Sequence, residues 1–462
     1  MYFQQIATPG LGCLSYAVGC PAAKVMAVVD PRRDVQVYLD IAREEGMRIT
    51  HVVDTHLHAD HVSGAHELAS RTGAEILMGE GSPVSFAFRP LRHGDVLTFG
   101  AARLTVLSTP GHTPHAISLL LTDTARSEEP WMLLSGDLLF VGDVGRPDLA
   151  GGELLEEQVR NLWRSLRETL GNCPDHLEVF PSHGMGSLCG RGLSSKPSTT
   201  LGFERLGNPM LRHETLESFR EALLANLPVR PKSFTHIIAT NAKGAPLLDR
   251  CPVDRAMSPD QFEAYMKSGT VVIDCRDAAA FGGMHIPGSL NIGLERQLAN
   301  WVGMVVAPES DILLVTPDDA AYETMTTELH RIGYDNIYGY LSGSIGSWVY
   351  SGRPVDTLAL TPAQRLKARL DADGAPLVLD VRTPAEWGQG VIPGARRAPL
   401  SDLLEGRLPH PEGEAVIYCA SGYRSNIAAS FLRRTGAADV SVLAGGMLAW
   451  TRAGFPVESW GT

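Results

Sequence analysis

Thr55-His56-Leu57-His58-Ala59-Asp60-His61 places three imidazoles and a carboxylate within seven positions. The apolar run Thr50–Asp54 precedes it and reads as a buried strand; a helical pattern follows from Ser63. A loop between a strand and a helix can turn several of these side chains into one space. Neutral imidazole and carboxylate are natural ligands for zinc or ferrous iron. Further candidates recur at predicted strand ends: His112 in Thr109-Pro110-Gly111-His112-Thr113, Asp137 in Ser135-Gly136-Asp137, and His183 in Pro181-Ser182-His183-Gly184. His51, His66, His93 and His176 stand alone and read as ordinary surface or loop histidines.

Around this motif the first half alternates strands and helices. Val25–Asp30, Ala74–Met78, Val96–Phe99, Arg103–Leu107, Ile117–Leu121, Met132–Leu134 and Glu178–Phe180 read as strands. Asp34–Glu45 and Leu154–Leu170 read as helices, and Gly100-Ala101 as a hairpin turn. The pattern weakens after residue 205. Pro228, Pro231 and the Asn241–Pro246 stretch read as loop and connector.

The second half contains a repeat. Val272-Ile273-Asp274-Cys275-Arg276 matches Val378-Leu379-Asp380-Val381-Arg382, and Ile286-Pro287-Gly288 matches Ile392-Pro393-Gly394, both at an offset of 106. Trp348 matches Trp450 and Gly352-Arg353-Pro354-Val355 matches Gly454-Phe455-Pro456-Val457, both at 102, so the second copy is four residues shorter between the blocks. Each copy alternates strands and helices, as a small parallel α/β domain does.

In the second copy the strand Val416-Ile417-Tyr418 runs into Cys419-Ala420-Ser421-Gly422-Tyr423-Arg424, and a helical pattern starts at Ser425. Backbone N–H groups and the helix dipole favour a thiolate in such a position, and the thiolate is the nucleophile. Arg424 adds a charge for an anionic donor such as thiosulfate. The first copy has Thr316-Pro317-Asp318-Asp319-Ala320-Ala321-Tyr322 instead. It has neither the cysteine nor the arginine, and reads as a catalytically dead spacer or docking module. Cys275 matches Val381 and does not replace Cys419.

The chain of 462 residues carries a net charge of −12 with 20% charged residues. That balance, without a basic stripe, argues against a nucleic-acid partner. No apolar stretch reaches the length of a membrane span, and residues 1–5 do not resemble a secretory leader. Seven scattered cysteines read as thiols and the cytoplasm as the default location. A homo-oligomer is the ordinary expectation.

The seven-residue set His56, His58, Asp60, His61, His112, Asp137 and His183 resembles the metallo-β-lactamase superfamily. That resemblance implies an αββα sandwich with metal at one edge of its two sheets. In two-metal hydrolases of glyoxalase II type it implies His56, His58 and His112 on one ion, Asp60, His61 and His183 on the other, and Asp137 between them. Gly136-Asp137-Leu138-Leu139-Phe140-Val141-Gly142-Asp143-Val144-Gly145-Arg146-Pro147-Asp148-Leu149 and His183-Gly184-Met185-Gly186-Ser187-Leu188-Cys189-Gly190 are similar to persulfide dioxygenases. So is Ser198-Thr199-Thr200-Leu201-Gly202-Phe203-Glu204. This narrower resemblance implies one Fe(II) on His56, His112 and Asp137, with zinc as the alternative. His58, Asp60, His61 and His183 would then surround it. It also implies O₂ and a low-molecular-weight thiol persulfide, such as glutathione persulfide, as substrates, and sulfite as product. Arg146 would bind a substrate carboxylate or else pair with Asp143 or Asp148. Cys189, and less strongly Cys20, would accept sulfur or serve as buried filler.

The two repeats resemble rhodaneses, in which Cys419 would carry a persulfide and give or use thiosulfate. The expected architecture is therefore α/β and multidomain. Residues 1–249 form the metal domain, with 205–249 as its C-terminal part and connector. Residues 250–357 form a degenerate rhodanese-like domain and 358–462 an active one, each around a central parallel sheet. The alternative is a dizinc thioester hydrolase with an accessory rhodanese.

Overall fold

A computed structural model of the chain describes residues 1–225, 227, 229–250, 255–267, 269–437 and 439–459. Pro228 and Cys251 lie outside them. The chain divides into two compact units, Met1–Arg250 with His330–Gly333, and Cys251–Leu329 with Tyr334–Thr462.

The first unit is built on two six-stranded sheets. One runs in chain order through Tyr2–Thr8, Cys13–Cys20, Val25–Val29, Arg48–Val53, Glu75–Gly79 and Arg89–Leu91. The other takes Thr199–Thr200, Glu178–Pro181, Met132–Gly136, Ile117–Asp123, Ala102–Ser108 and Val96–Phe99. Leu14, Tyr16, Val29, Val53 and Leu77 from the first sheet meet Leu97, Val106, Leu119 and Leu134 from the second in a shared core. Helix Gln36–Glu44 packs Tyr38 and Ile41, and helix Ala65–Thr72 packs Leu68, on the outer face of the first sheet. Helices Leu155–Arg164 and Leu216–Leu224 cover the second sheet with Val159, Leu162, Phe219 and Leu223. The result is an αββα sandwich. Because both faces of the first sheet are covered, strand Cys13–Cys20 is buried at every position.

Two expectations change. The long helix ends as an α-helix at Arg164 and continues as a π-turn over Ser165–Thr169, where Ser165 Oγ donates to Pro110 O at 2.7 Å. The region after 205 is also more ordered than a connector, with helices Leu216–Leu224 and Ser233–Lys243. Asn241 lies within the latter and is buried.

The second unit contains two five-stranded parallel sheets with the same strand order. The first runs Ala256–Met257, Ile337–Leu341, Ile312–Val315, Val271–Asp274, Leu290–Asn291; the second runs Leu360–Thr361, Val440–Leu443, Ala415–Tyr418, Leu377–Asp380, Arg396–Arg397. The central strands Ile312–Val315 and Ala415–Tyr418 are fully buried, as continuous apolar runs in parallel sheets are. The repeat is visible bond by bond. Arg276 Nη2 donates to Asp274 and Arg382 Nη2 to Asp380, each at 2.6 Å. Trp348 Nε1 donates to Pro354 O at 2.9 Å and Trp450 Nε1 to Pro456 O at 2.8 Å. Among the described residues no helix is long and apolar enough to cross a membrane.

Candidate functional site

The histidine loop leaves strand Arg48–Val53 at the edge of the sandwich, and its anchor is Asp30. This residue ends strand Val25–Val29 with φ +50, a strained backbone for a side chain with a Cβ. Asp30 accepts from Thr55 N at 2.7 Å, Thr55 Oγ1 at 2.8 Å and Ser182 Oγ. His58 Nε2 lies 3.2 Å away. Burial pushes the Asp30 carboxyl up, but His58 and Ser182 outweigh burial and bring it down to about 2.

This network sets the tautomers. The Thr55 hydroxyl proton is committed to Asp30, so Thr55 Oγ1 accepts from His56 Nδ1 at 3.0 Å. The lone pair of His56 is therefore on Nε2. His112 Nδ1 donates to Arg146 O at 2.8 Å, which likewise leaves its Nε2 as the acceptor. His112 Nε2 lies 3.3 Å and His56 Nε2 3.8 Å from Asp137 Oδ2. The donor atoms of His56, His112 and Asp137 all lie within 4.8 Å of one another. His56 Nε2 and Asp137 Oδ2 are buried without a hydrogen-bond partner. Orphaned acceptors of this kind are costly unless something binds them, so the three residues fit a divalent ion. A Cβ at Gly145 would run into both Asp137 O and His112 Nδ1, which is why glycine stands there.

A second group adjoins the first. His183 is held between Asp137 Oδ1 at 2.6 Å and Asp60 Oδ2 at 2.7 Å. Burial disfavours its protonation, but the two carboxylates raise its pKa well above the imidazole norm. Cys13, absent from the sequence reading, joins this group: its Sγ is 3.2 Å from Asp60 Oδ2 and 3.7 Å from His61 Nδ1. His58 belongs to neither group and clusters with Asp30 and Asp54. Burial pushes the Asp54 carboxyl up to about 6. Asn241 Nδ2 donates to His58 O and His61 O, both at 2.9 Å, and Asn241 Oδ1 accepts from Ser63 N at 2.9 Å. The stretch read as connector thus fixes the backbone of the metal motif.

Of the two readings of Arg146, the geometry holds the ion pair. Its Nε and Nη2 donate to Asp148, each at 2.7 Å, its Nη1 donates to Leu188 O, and it is 2% exposed. Its carbonyl orients His112. Cys189 is buried beside Asp137 and His183, and burial pushes its thiol up to about 12. Cys20 is buried at the far end of its strand.

In the second unit, Cys419 follows strand Ala415–Tyr418 and precedes helix Tyr423–Arg434. Its Sγ accepts from Gly422 N at 3.1 Å, and Ser425 Oγ lies 3.6 Å away. Both donors stabilise a thiolate or a persulfide anion at this point. Arg424, the charge expected to face an anionic donor, has a carboxylate partner within the chain. It pairs with Glu386 through two bonds at 2.6 and 2.7 Å. In the other repeat Asp318 caps helix Asp319–Arg331 by accepting from Ala321 N at 2.8 Å, so a carboxylate fills the place an anion would take.

The Metallo-beta-lactamase superfamily model matches residues 12–183, and the Rhodanese-like domain model matches 258–351 and 362–453. The chain belongs to the metallo-beta-lactamase superfamily and carries two rhodanese-like domains in tandem. A solved metallo-beta-lactamase from Staphylococcus aureus subsp. aureus COL is 32% identical, with a TM-score of 0.68, over 74% of this chain and 99% of that one. The persulfide dioxygenase ETHE1, mitochondrial, of Bos taurus is 26% identical over 52% of this chain and 87% of that protein. A hydroxyacylglutathione hydrolase-like protein of Mus musculus is 36% identical over 31% of this chain. The chain spans about half, 48%, of that relative's length.

Proposed function

We propose that this chain is a bifunctional enzyme of sulfane sulfur, oxidising a low-molecular-weight thiol persulfide with O₂ at the first unit and transferring sulfur through Cys419 at the second. The observation that carries the reading is the convergence of His56, His112 and Asp137, two of them with orphaned buried acceptors, in a chain that also holds a rhodanese loop. His56, His112 and Asp137 would hold one Fe(II). A two-histidine, one-carboxylate set leaves coordination positions open, and the ion would supply O₂ activation there.

The residues of the chain prepare that site. Asp30, through Thr55, fixes the His56 tautomer, and Arg146 O fixes that of His112. His183 lies between the Asp137 and Asp60 carboxylates and would steady the orientation of Asp137. The net reaction takes the persulfide, O₂ and water to the free thiol and sulfite. At the second unit the Cys419 thiolate attacks the outer sulfur of a donor and the donor thiol leaves. Gly422 N–H and Ser425 Oγ hold the resulting persulfide. Sulfite then attacks the outer sulfur, forming thiosulfate and restoring the Cys419 thiolate.

The test is O₂ uptake by iron-loaded protein on adding glutathione persulfide, with sulfite and thiosulfate measured. Expected are O₂ consumption, its loss in His112→Ala, and a shift from thiosulfate to sulfite in Cys419→Ala. A second reading, a dizinc thioester hydrolase, is favoured by the neighbouring Asp60, His61 and His183 group and by the hydroxyacylglutathione hydrolase-like relative. Zinc in native protein, thioester turnover and no O₂ uptake would establish it instead.

A further inference from the structure

We infer that the cavity between the two rhodanese-like repeats seats the carrier of the sulfur that Cys419 handles, and that it selects a low-molecular-weight thiol bearing a free ammonium group. The inference rests on the proposed sulfur transfer through Cys419 and goes beyond it. It names the carrier, and it gives the cysteine-less repeat a part in binding.

Both repeats lie in one compact unit, and each turns the carboxyl end of its sheet to this cavity of about 730 Å³. On the first repeat, Cys275, Asn291 and Pro317 line it, at or just past the ends of strands Val271–Asp274, Leu290–Asn291 and Ile312–Val315. On the second, Ser421, Gly422 and Tyr423 line it, from the loop and helix start that follow strand Ala415–Tyr418. Ligands of parallel α/β domains bind outside the carboxyl ends of the strands, and cavities of about 300–1,000 Å³ take small organic molecules. Gly422 belongs both to this wall and to the cysteine cradle, since its N–H holds Cys419 Sγ at 3.1 Å. Its φ is +118, and a Cβ there would find only Gly445 N, at 3.8 Å, so this stretch of wall carries no side chain. The Tyr423 hydroxyl donates to Gly293 O at 3.0 Å and ties the loop to the first-repeat wall.

The charge of the wall chooses the ligand. Arg276 lines the cavity, but its guanidinium is spent on Asp274 and on Met284 O. Asp277 and Glu295 remain, both exposed. Asp277 caps helix Ala278–Gly283 by accepting from Ala279 N and Ala280 N, each at 2.9 Å. Burial raises the Glu295 carboxyl, and no cation opposes it. Glu295 lies close enough to the active loop to raise the Tyr423 hydroxyl, after burial itself. Asn426 also lines the cavity and is 2% exposed. Its Nδ2 donates to Gly422 O at 2.9 Å, which makes Oδ1 the acceptor end, and Oδ1 is buried without a partner. An acceptor without a donor, near an unpaired carboxylate, fits a ligand that brings N–H groups and a positive charge. An anionic carrier would face two carboxylates and no free cation among the described lining residues. Leu294, Leu360 and Leu443 supply apolar surface for the carbon skeleton.

In the transfer the Cys419 thiolate attacks the outer sulfur of the carrier persulfide. The carrier S–S bond breaks and a bond from Cys419 Sγ to the outer sulfur forms. The proton stays on that sulfur, and the carrier leaves as its thiolate. Cys275 does not compete as a nucleophile, because its Sγ donates to Val315 O at 3.3 Å and burial pushes the thiol up to about 12.

The experiment runs the exchange in reverse on the full chain, with thiosulfate loading Cys419 and three thiols as acceptors: cysteamine, 2-mercaptoethanol and mercaptoacetate. Cysteamine should show the lowest KM and mercaptoacetate the highest. Glu295→Gln should raise the ratio of the cysteamine KM to the 2-mercaptoethanol KM roughly fivefold, the worth of a part-exposed ion pair. The intrinsic reactivities of the thiols cancel in that comparison. Ala279→Trp, which fills the cavity from the first repeat, should raise all three KM values. A ratio that Glu295→Gln leaves unchanged overturns the ammonium selection, and KM values that Ala279→Trp leaves unchanged overturn the seat. Loading of Cys419 is followed separately, by the mass gain of one sulfur atom. No loading would sink the sulfur-transfer reading itself; loading with a flat ratio sinks this inference alone.

Discussion

The two rhodanese-like repeats share a scaffold and differ at the one place where chemistry would occur. Both keep the aspartate–arginine pair at the end of the strand beside the central one, Val271–Asp274 or Leu377–Asp380, and the tryptophan tied to a proline carbonyl. Only the later copy keeps a sulfur nucleophile. The earlier one has lost three things together: Cys419 has no counterpart, Arg424 has none, and Ala280 stands where Glu386 stands. Arg276 Nη1 still reaches Ala280 O at 3.4 Å, as Arg382 Nη1 reaches Glu386 O at 3.4 Å, so the backbone survived the change of side chain. The residues that hold this fold are therefore separable from those that give it a reaction.

The strongest way to break that comparison is Cys419→Ala. Sulfur transfer from thiosulfate should fall by roughly 10⁴-fold or more, as on loss of a covalent nucleophile. Appreciable residual transfer would mean that the first copy is active after all. The scaffold half is tested by Arg276→Met and Arg382→Met. Each leaves a buried aspartate unpaired, and each should cost about 3–5 kcal/mol in denaturant titrations. A large effect in one copy only would show that the shared bonds are not doing the same job.

A smaller effect sharpens the difference. Glu386→Gln should free Arg424 for an anionic donor and lower the KM for thiosulfate roughly fivefold, about 1 kcal/mol for a part-exposed ion pair. The last effect depends on acid. Burial raises the Glu386 carboxyl, but Arg424 and Thr383 outweigh it and take it from 4.5 down to about 2. A depressed carboxyl stabilises the fold fully above its ordinary value and loses that contribution as pH falls toward 2. Over that window the second copy should lose stability that the Glu386→Gln variant does not lose, measured by urea unfolding against pH.

Much of this was legible in the chain itself, for a physical reason. Local signals carried His56, His112, Asp137 and Cys419, each at the end of an apolar strand, and the repeat carried the paired α/β copies. What could not be read was what the fold brings together from afar. Asp30 lies 25 residues before Thr55 and serves it only because neighbouring strands end side by side. Cys13 reaches His183 through a strand register that no local pattern encodes. Arg146 offered two partners, and only burial decided for Asp148. Asn241 sat among residues with turn character, and its helix is recognisable only through what the side chain binds.

That helix sets how large a portable piece of this chemistry must be. The superfamily match ends at 183, yet the carbonyls of His58 and His61 are held from residue 241. A transplant cut at the end of the recognisable pattern would carry every candidate ligand and leave behind the clasp that keeps their loop closed. To keep that clasp, a transferred piece has to include helix Ser233–Lys243.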